Sequence, residues 1–245
     1  MLPVLLAALL VTGWFAWERN ARFDLLDWAL VAYATAWLLA GLAAPWNFPS
    51  ALREALILVA GALFCLCLRS ALPARSRVRA RAAAVAVVAG VLSVLVAPPP
   101  SGPVPRSDLA AASRLAFSQQ AVFGWGPGQF REWTPRWLAR SRNGSPGFGL
   151  PPELRPVAAD PPGLYLHHLA DGGVVAAGAL AFLVLTALAM LVPRVSGRRA
   201  DAAARVGLAA LVLWLLWGFV SSALLQPGPM LAFWVALGRA SGKQR

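Results

Sequence analysis

Long apolar runs dominate the chain, and the short stretches between them gather most of its charge. Six runs stand out, at 2–17, 25–44, 51–68, 80–97, 172–193 and 205–225. A shorter seventh, 229–238, follows the break "QPGP", where Pro229 suits the first turn of a new helix. Runs near 20 residues match a bilayer core when they are helical. The period-two alternation of a barrel strand is absent, and an open strand would leave its backbone unpaired in lipid. The pattern predicts an all-α integral membrane protein with about six to seven transmembrane helices and one large external loop. It divides the chain into N-terminal helices (1–97), that loop (98–171), and C-terminal helices with a tail (172–245).

The basic residues give the orientation, because short cytoplasmic loops are enriched in Lys and Arg. Arg69, Arg75, Arg77, Arg79 and Arg81 fall in one short segment, and Arg194, Arg198, Arg199 and Arg205 in another. Counting helices from these puts Arg19 and Arg22, and the tail with Arg239, Lys243 and Arg245, on the same side. The N-terminus, the 45–50 turn and the 98–171 loop are then expected outside. The opening run lacks a basic lead and a convincing cleavage site, and reads as a first membrane helix.

Polar positions inside the loop predict smaller elements. "RSDLAAASRLAFSQQAVF" (106–123) reads as an interfacial helix with Ser107 as N-cap and Asp108 in the first turn. "GWGPGQF" must be a turn, since so many Gly and Pro residues cannot propagate a helix. In "REWTPRWLARSR" the spacing of Trp133, Arg136, Trp137 and Arg140 predicts one helical face carrying two indoles and two guanidiniums. Such a face can anchor at the headgroup layer or grip a phosphate.

Composition supports the membrane reading. Only 13% of the 245 residues are charged, against about 25% in a soluble domain. The net charge of +12 reflects topology and contact with anionic groups. No basic, aromatic-bearing soluble domain is present, so nucleic acid is not an expected partner. Cys65 and Cys67 lie two apart in an apolar helix and read as packing residues. No metal-ligand spacing occurs, and neither a metal nor a cofactor is expected.

Candidate chemistry concentrates in "DPPGLYLHHLADGG" (160–173), which holds His167 and His168, the two histidines of the chain. Asp171 follows His167 by four positions, which shares a helical face and lets it orient the imidazole. Arg53 lies near the external end of its helix, where a snorkelling role and an inward-facing one are both open. Asp24 and Asp27 suit the positive start of the second helix.

Four segments, in order, resemble the O-antigen ligase/polymerase family of bacterial membrane glycan enzymes. They are "FDLLDWALVAYATAWLLAGLAAPWNFPSALREAL", "SRLAFSQQAVFGWGPGQF", "DPPGLYLHHLADGGVVAAGALAFLVL" and "MLAFWVALGRA". The family's usual His-Asn falls here on Pro162 and Gly163, and members carry more helices ahead of the large loop. The resemblance implies transfer of a polyprenyl-pyrophosphate-linked glycan to an acceptor glycan hydroxyl, outside the bacterial inner membrane. It implies Arg53 and Arg114, then Arg131 and Arg136, as pyrophosphate-binding residues. His167 is the expected displaced base, with Asp171 orienting it and His168 as the neighbouring choice; Asp160 or Glu132 could stand in. A catalytically silent accessory protein that binds a lipid-linked glycan is the alternative, and a partner membrane subunit stays among the candidate partners. A solute transporter would instead require a buried polar site at mid-membrane.

Overall fold

The computed structural model describes residues 24–71, 81, 83–89, 104–143, 160–196, 201–220 and 227–241. Its main helices are α1 (Leu25–Leu42), α2 (Phe48–Ala71), α3 (Arg106–Gln119), α4 (Gln129–Asn143), α5 (Leu164–Ser196), α6 (Ala202–Val220) and α7 (Pro227–Ala240). A short helical stretch covers 83–89, and no strand occurs among the described residues. Four helices are long and apolar enough to cross a membrane: Leu25–Leu42, Phe48–Leu66, Leu164–Ser196 and Ala202–Phe219. The expected helix at 2–17 and most of that at 80–97 lie outside the described residues.

Five helices share the larger core. Leu26, Leu30 and Trp37 of α1 meet Cys65 of α2, Leu183 and Leu191 of α5, Leu211 of α6, and Trp234 and Leu237 of α7. Small residues set how closely they pack. A side chain on Gly41 would meet Ala55 across the α1–α2 hairpin at 2.7 Å, and one on Gly238 would meet Leu68 at 3.0 Å. Lipid-length helices bring little hydrophobic drive to their own association, so such close contacts favour packing. The outward faces are apolar: Leu185, Val212, Leu216 and Phe219 are exposed, as a lipid-facing surface requires.

A second, smaller core joins α3, α4 and the start of α5 through Leu109, Ala112, Ala116, Phe130, Trp137, Leu138 and Ala170. Two expectations change here. The first helix of the loop starts at Arg106 with Pro105 at its N-cap, so Ser107 lies inside the helix and caps nothing. The aromatic face of the next helix is divided as well. Trp137 is buried against Trp125, with centroids 4.9 Å apart, whereas Arg136 is exposed and lies over the Trp133 ring at 3.9 Å.

The largest departure is α5. The pattern predicts a helix from 172, yet α5 begins at Leu164, one residue past Gly163. At Gly173 the backbone takes φ 62 and ψ −164, which breaks α5 into an inner and an outer piece. "DGG" reads as a helix start in the sequence, and here it is the kink between two helical stretches. The 171/172 boundary drawn between loop and C-terminal helices lies beside this break.

Candidate functional site

A broken helix exposes backbone groups that must find partners when buried. The turn after α3 supplies them. Val174 and Val175 donate N–H groups to the carbonyls of Ala121 and Val122 at 2.8 and 3.2 Å. In return, Trp125 and Gly126 donate to the carbonyls of Ala170 and Asp171 at 3.0 and 2.9 Å. Gly124, Gly126 and Gly128 all have positive φ, which lets the turn lie flat against α5. A side chain on Gly124 would run into the Asp171 backbone, and one on Gly173 into Val122 and Gly124. The glycines of "GWGPG" thus serve a close backbone approach to the broken helix.

Asp171 sits at the centre and is wholly buried. Its Oδ2 accepts the Gly128 N–H and its Oδ1 accepts the Phe130 N–H, both at 2.9 Å. Those two amides open α4, so Asp171 caps that helix from across the interface, where a carboxylate also meets the helix dipole favourably. His167 Nε2 lies 3.4 Å from Asp171 Oδ2, as the four-residue spacing requires. The other ring nitrogen, Nδ1, is buried with no hydrogen-bond partner among the described residues. The His167 side chain nevertheless keeps 12% of its surface open.

His168 is different. Its Nδ1 is 2.9 Å from the Leu164 carbonyl and its Nε2 is 3.2 Å from Tyr33 Oη. A carbonyl only accepts, so Nδ1 carries the proton and Nε2 accepts from the tyrosine hydroxyl. Trp37 packs edge-on against the same ring, with centroids 5.0 Å apart. His168 is fully buried and both its nitrogens are used, which fixes α5 to α1.

Arg53, Arg114, Arg131 and Arg136 are all exposed, and none bonds to His167 or Asp171 among the described residues. Arg114 donates through Nε to the Ala110 carbonyl of its own helix at 3.2 Å. Arg131 acts on Asp160, just before α5. Burial pushes the Asp160 carboxyl above its ordinary range, and the Arg131 charge opposes that rise. Glu132 accepts from Asn47 Nδ2 at 2.9 and 3.1 Å and from Ser50 Oγ at 3.1 Å, which ties α4 to the α1–α2 hairpin. These bonds engage both its carboxylate oxygens.

Sequence reasoning missed Tyr33, Trp37 and Gln129. Tyr33 is one of two tyrosines in the chain, set inside an apolar run, and such a polar tip in a membrane helix is a cue. Gln129 is buried, and both atoms of its amide lack partners among the described residues, as does the Trp37 indole N–H. In comparisons with protein-family models, curated proteins and solved structures, this chain matches nothing.

Proposed function

We propose that this multi-pass membrane protein is a glycan transferase of the O-antigen ligase/polymerase type. It would move a glycan from a polyprenyl pyrophosphate to an acceptor glycan hydroxyl at the outer face of a bacterial inner membrane. The distribution of arginines supports an external 98–171 loop and a cytoplasmic C-terminus. One observation carries the reading: His167 has one nitrogen facing Asp171 and the other, buried, without a hydrogen-bond partner among the described residues.

In that reading the acceptor oxygen attacks the anomeric carbon while the bond from that carbon to the phosphate oxygen breaks. The acceptor proton passes to His167 Nδ1, and Asp171 holds the Nε2–H and offsets the charge that forms. The departing pyrophosphate gains charge, which guanidinium groups can stabilise. Arg131, whose charge acts on Asp160, is the first candidate for that role, with Arg53, Arg114 and Arg136 as further exposed guanidiniums.

The test is turnover in proteoliposomes holding a polyprenyl-pyrophosphate glycan and acceptor glycans. His167→Ala is expected to lower turnover by about 10²–10⁴-fold at unchanged donor binding, the range of a lost general base. His168→Ala should lower thermal stability first, because its ring joins two helices. Arg131→Ala and Arg53→Ala should weaken donor binding. Full turnover in His167→Ala would sink the reading. The structural duties of Asp171 and His168 favour the second reading, an accessory protein that binds a lipid-linked glycan without reacting. Donor binding with no turnover in any preparation would select it.

A further inference from the structure

The turn between α1 and α2 joins two helices of membrane-spanning length, so it lies where both leave the lipid. Residues 43–47 of that turn carry no charged side chain. α4 brings charge to it from outside. Glu132 accepts from Asn47 and Ser50, and Trp133 lies against Trp46 with ring centroids 5.4 Å apart. Arg136, one helical turn along from Trp133, places its guanidinium 3.9 Å from the centre of the Trp133 ring. Trp46 and Arg136 are both exposed.

A Glu four residues before an Arg on a helix ordinarily pairs with it. Here Glu132 is engaged by the hairpin instead, and Arg136 makes no ion pair among the described residues. The indole takes the guanidinium through a cation–π contact, which leaves its N–H donors for an anion. Apolar surface adjoins the same turn. Leu39 and Leu42, three apart at the end of α1, are exposed, and so is Phe48 at the start of α2. Indoles favour the boundary between lipid and water, and a guanidinium fork matches phosphate oxygens. A free phosphate would use the guanidinium alone and leave the leucines bare. A molecule with both a phosphodiester and acyl chains uses the whole surface.

We infer that Trp46, Trp133 and Arg136 form a binding site for a bilayer phospholipid, with its phosphodiester on the Arg136 guanidinium and its chains along Leu39 and Leu42. The inference goes beyond the transferase reading and does not depend on it; among the exposed arginines it gives Arg136 to structural lipid. It also gives the lipid a task. α4 opens with the Gly128 and Phe130 amides that hold Asp171, so a headgroup seated on α4 steadies the helix that fixes the buried carboxylate.

The experiment titrates phosphatidylglycerol carrying a diazirine beside its phosphate into the full chain in detergent micelles, and maps the photo-cross-links by peptide mass spectrometry. Wild type is expected to show saturable labelling within 43–50 and 129–143. Unlabelled phosphatidylglycerol should compete. Diacylglycerol of the same chains, which lacks the phosphate, and inorganic pyrophosphate, which lacks the chains, should not compete at the same concentration. Arg136→Gln should raise the half-saturating lipid concentration by about tenfold, the equivalent of one hydrogen bond to a charged group. Arg205→Gln removes another exposed arginine, in the first turn of α6, and should leave that concentration at the wild-type value. Both side chains are exposed, so the variants should melt with wild type, and weaker labelling then cannot come from unfolding. Absent labelling in the two segments, wild-type half-saturation in Arg136→Gln, an equal shift in Arg205→Gln, or competition by diacylglycerol or pyrophosphate would each overturn the site. No glycan donor enters this measurement, so a failure of glycan transfer with the lipid still bound would remove only the transferase reading.

Discussion

Asp160 shows how one residue reports on the setting of the whole cluster. It is the first described residue after 144–159, half-buried, with the Arg131 charge acting on it. Burial raises its proton affinity in the folded state above the ordinary carboxylate value of 3.8, and Arg131 only partly offsets this. The folded protein therefore holds the proton where the unfolded chain has released it. Stability from this group is complete below the ordinary value and is lost as pH rises through the folded value. Asp160→Asn removes that loss. The melting temperature of the variant minus that of wild type should grow as pH is raised from below the carboxylate range to neutrality. A difference that stays flat or shrinks with pH would show that Arg131, rather than burial, governs the site.

At the level of elements, the break in α5 and the glycine turn depend on each other. The turn has no ladder of its own, and the broken helix has no other partners for Val174 and Val175 among the described residues. Gly173→Ala would put a Cβ into the Val122 carbonyl and demand a positive φ from an L-residue. Strain of that kind costs about 1–3 kcal/mol, before any contact is lost. The variant should melt several degrees lower and become cleavable by protease near 121–128, while α1 and α2 keep their hairpin. An unchanged cleavage pattern would mean that the turn docks without the break.

This pairing also explains what could and could not be read from the residues. The apolar runs of α1, α2, α5 and α6 are visible because lipid length imposes them. The four-residue spacing of His167 and Asp171 is visible because helical periodicity imposes that too. The early start of α5 is not, since Leu164–Gly172 is a short, mixed-polarity helix whose stability comes from tertiary contacts. Tyr165 Oη donates to the Leu215 carbonyl at 2.9 Å, and Gly163 lies against the end of α6. Equally hidden is the split of the Trp133–Trp137 face, where Trp125, remote in register, claims Trp137 for the inner core. Periodicity says which residues share a face, and it leaves the partner of that face undetermined.

The molecule as a whole has two polar ends with different work. α1 runs between them, with Asp24 at its start and Tyr33, the partner of His168, about 12 Å further along at the helical rise. At the end away from the glycine turn, the Arg69 side chain is fully buried. Its Nη2 meets Asp24 Oδ2 at 2.8 Å and its Nη1 meets Asp27. Nη2 also approaches the Ser241 carbonyl at 3.5 Å. Asp24 meanwhile caps α1, accepting from the Leu26 and Asp27 amides, and its own N–H donates to Asp27 in a reciprocal capping box. One guanidinium thus gathers the start of α1, the end of α2 and the end of α7, which sequence reasoning took only for two helix-dipole aspartates and a topogenic arginine. Arg69→Leu removes the guanidinium that bridges the buried Asp27 and Asp24, and breaking a buried pair in this way costs about 3–5 kcal/mol. Asp24 is one-third exposed, which places the expectation toward the lower figure. Replacing Asp27 by Leu as well removes the buried carboxylate of that pair and should recover part of the loss. Thermal unfolding of the single and double variants in nanodiscs measures both steps. Binding of the polyprenyl-pyrophosphate glycan per folded molecule should stay at the wild-type level throughout, because His167 and Asp171 are built away from Arg69. If binding falls in step with Arg69→Leu while the fold persists, the two ends are coupled through α1, and the division of labour proposed for them is wrong.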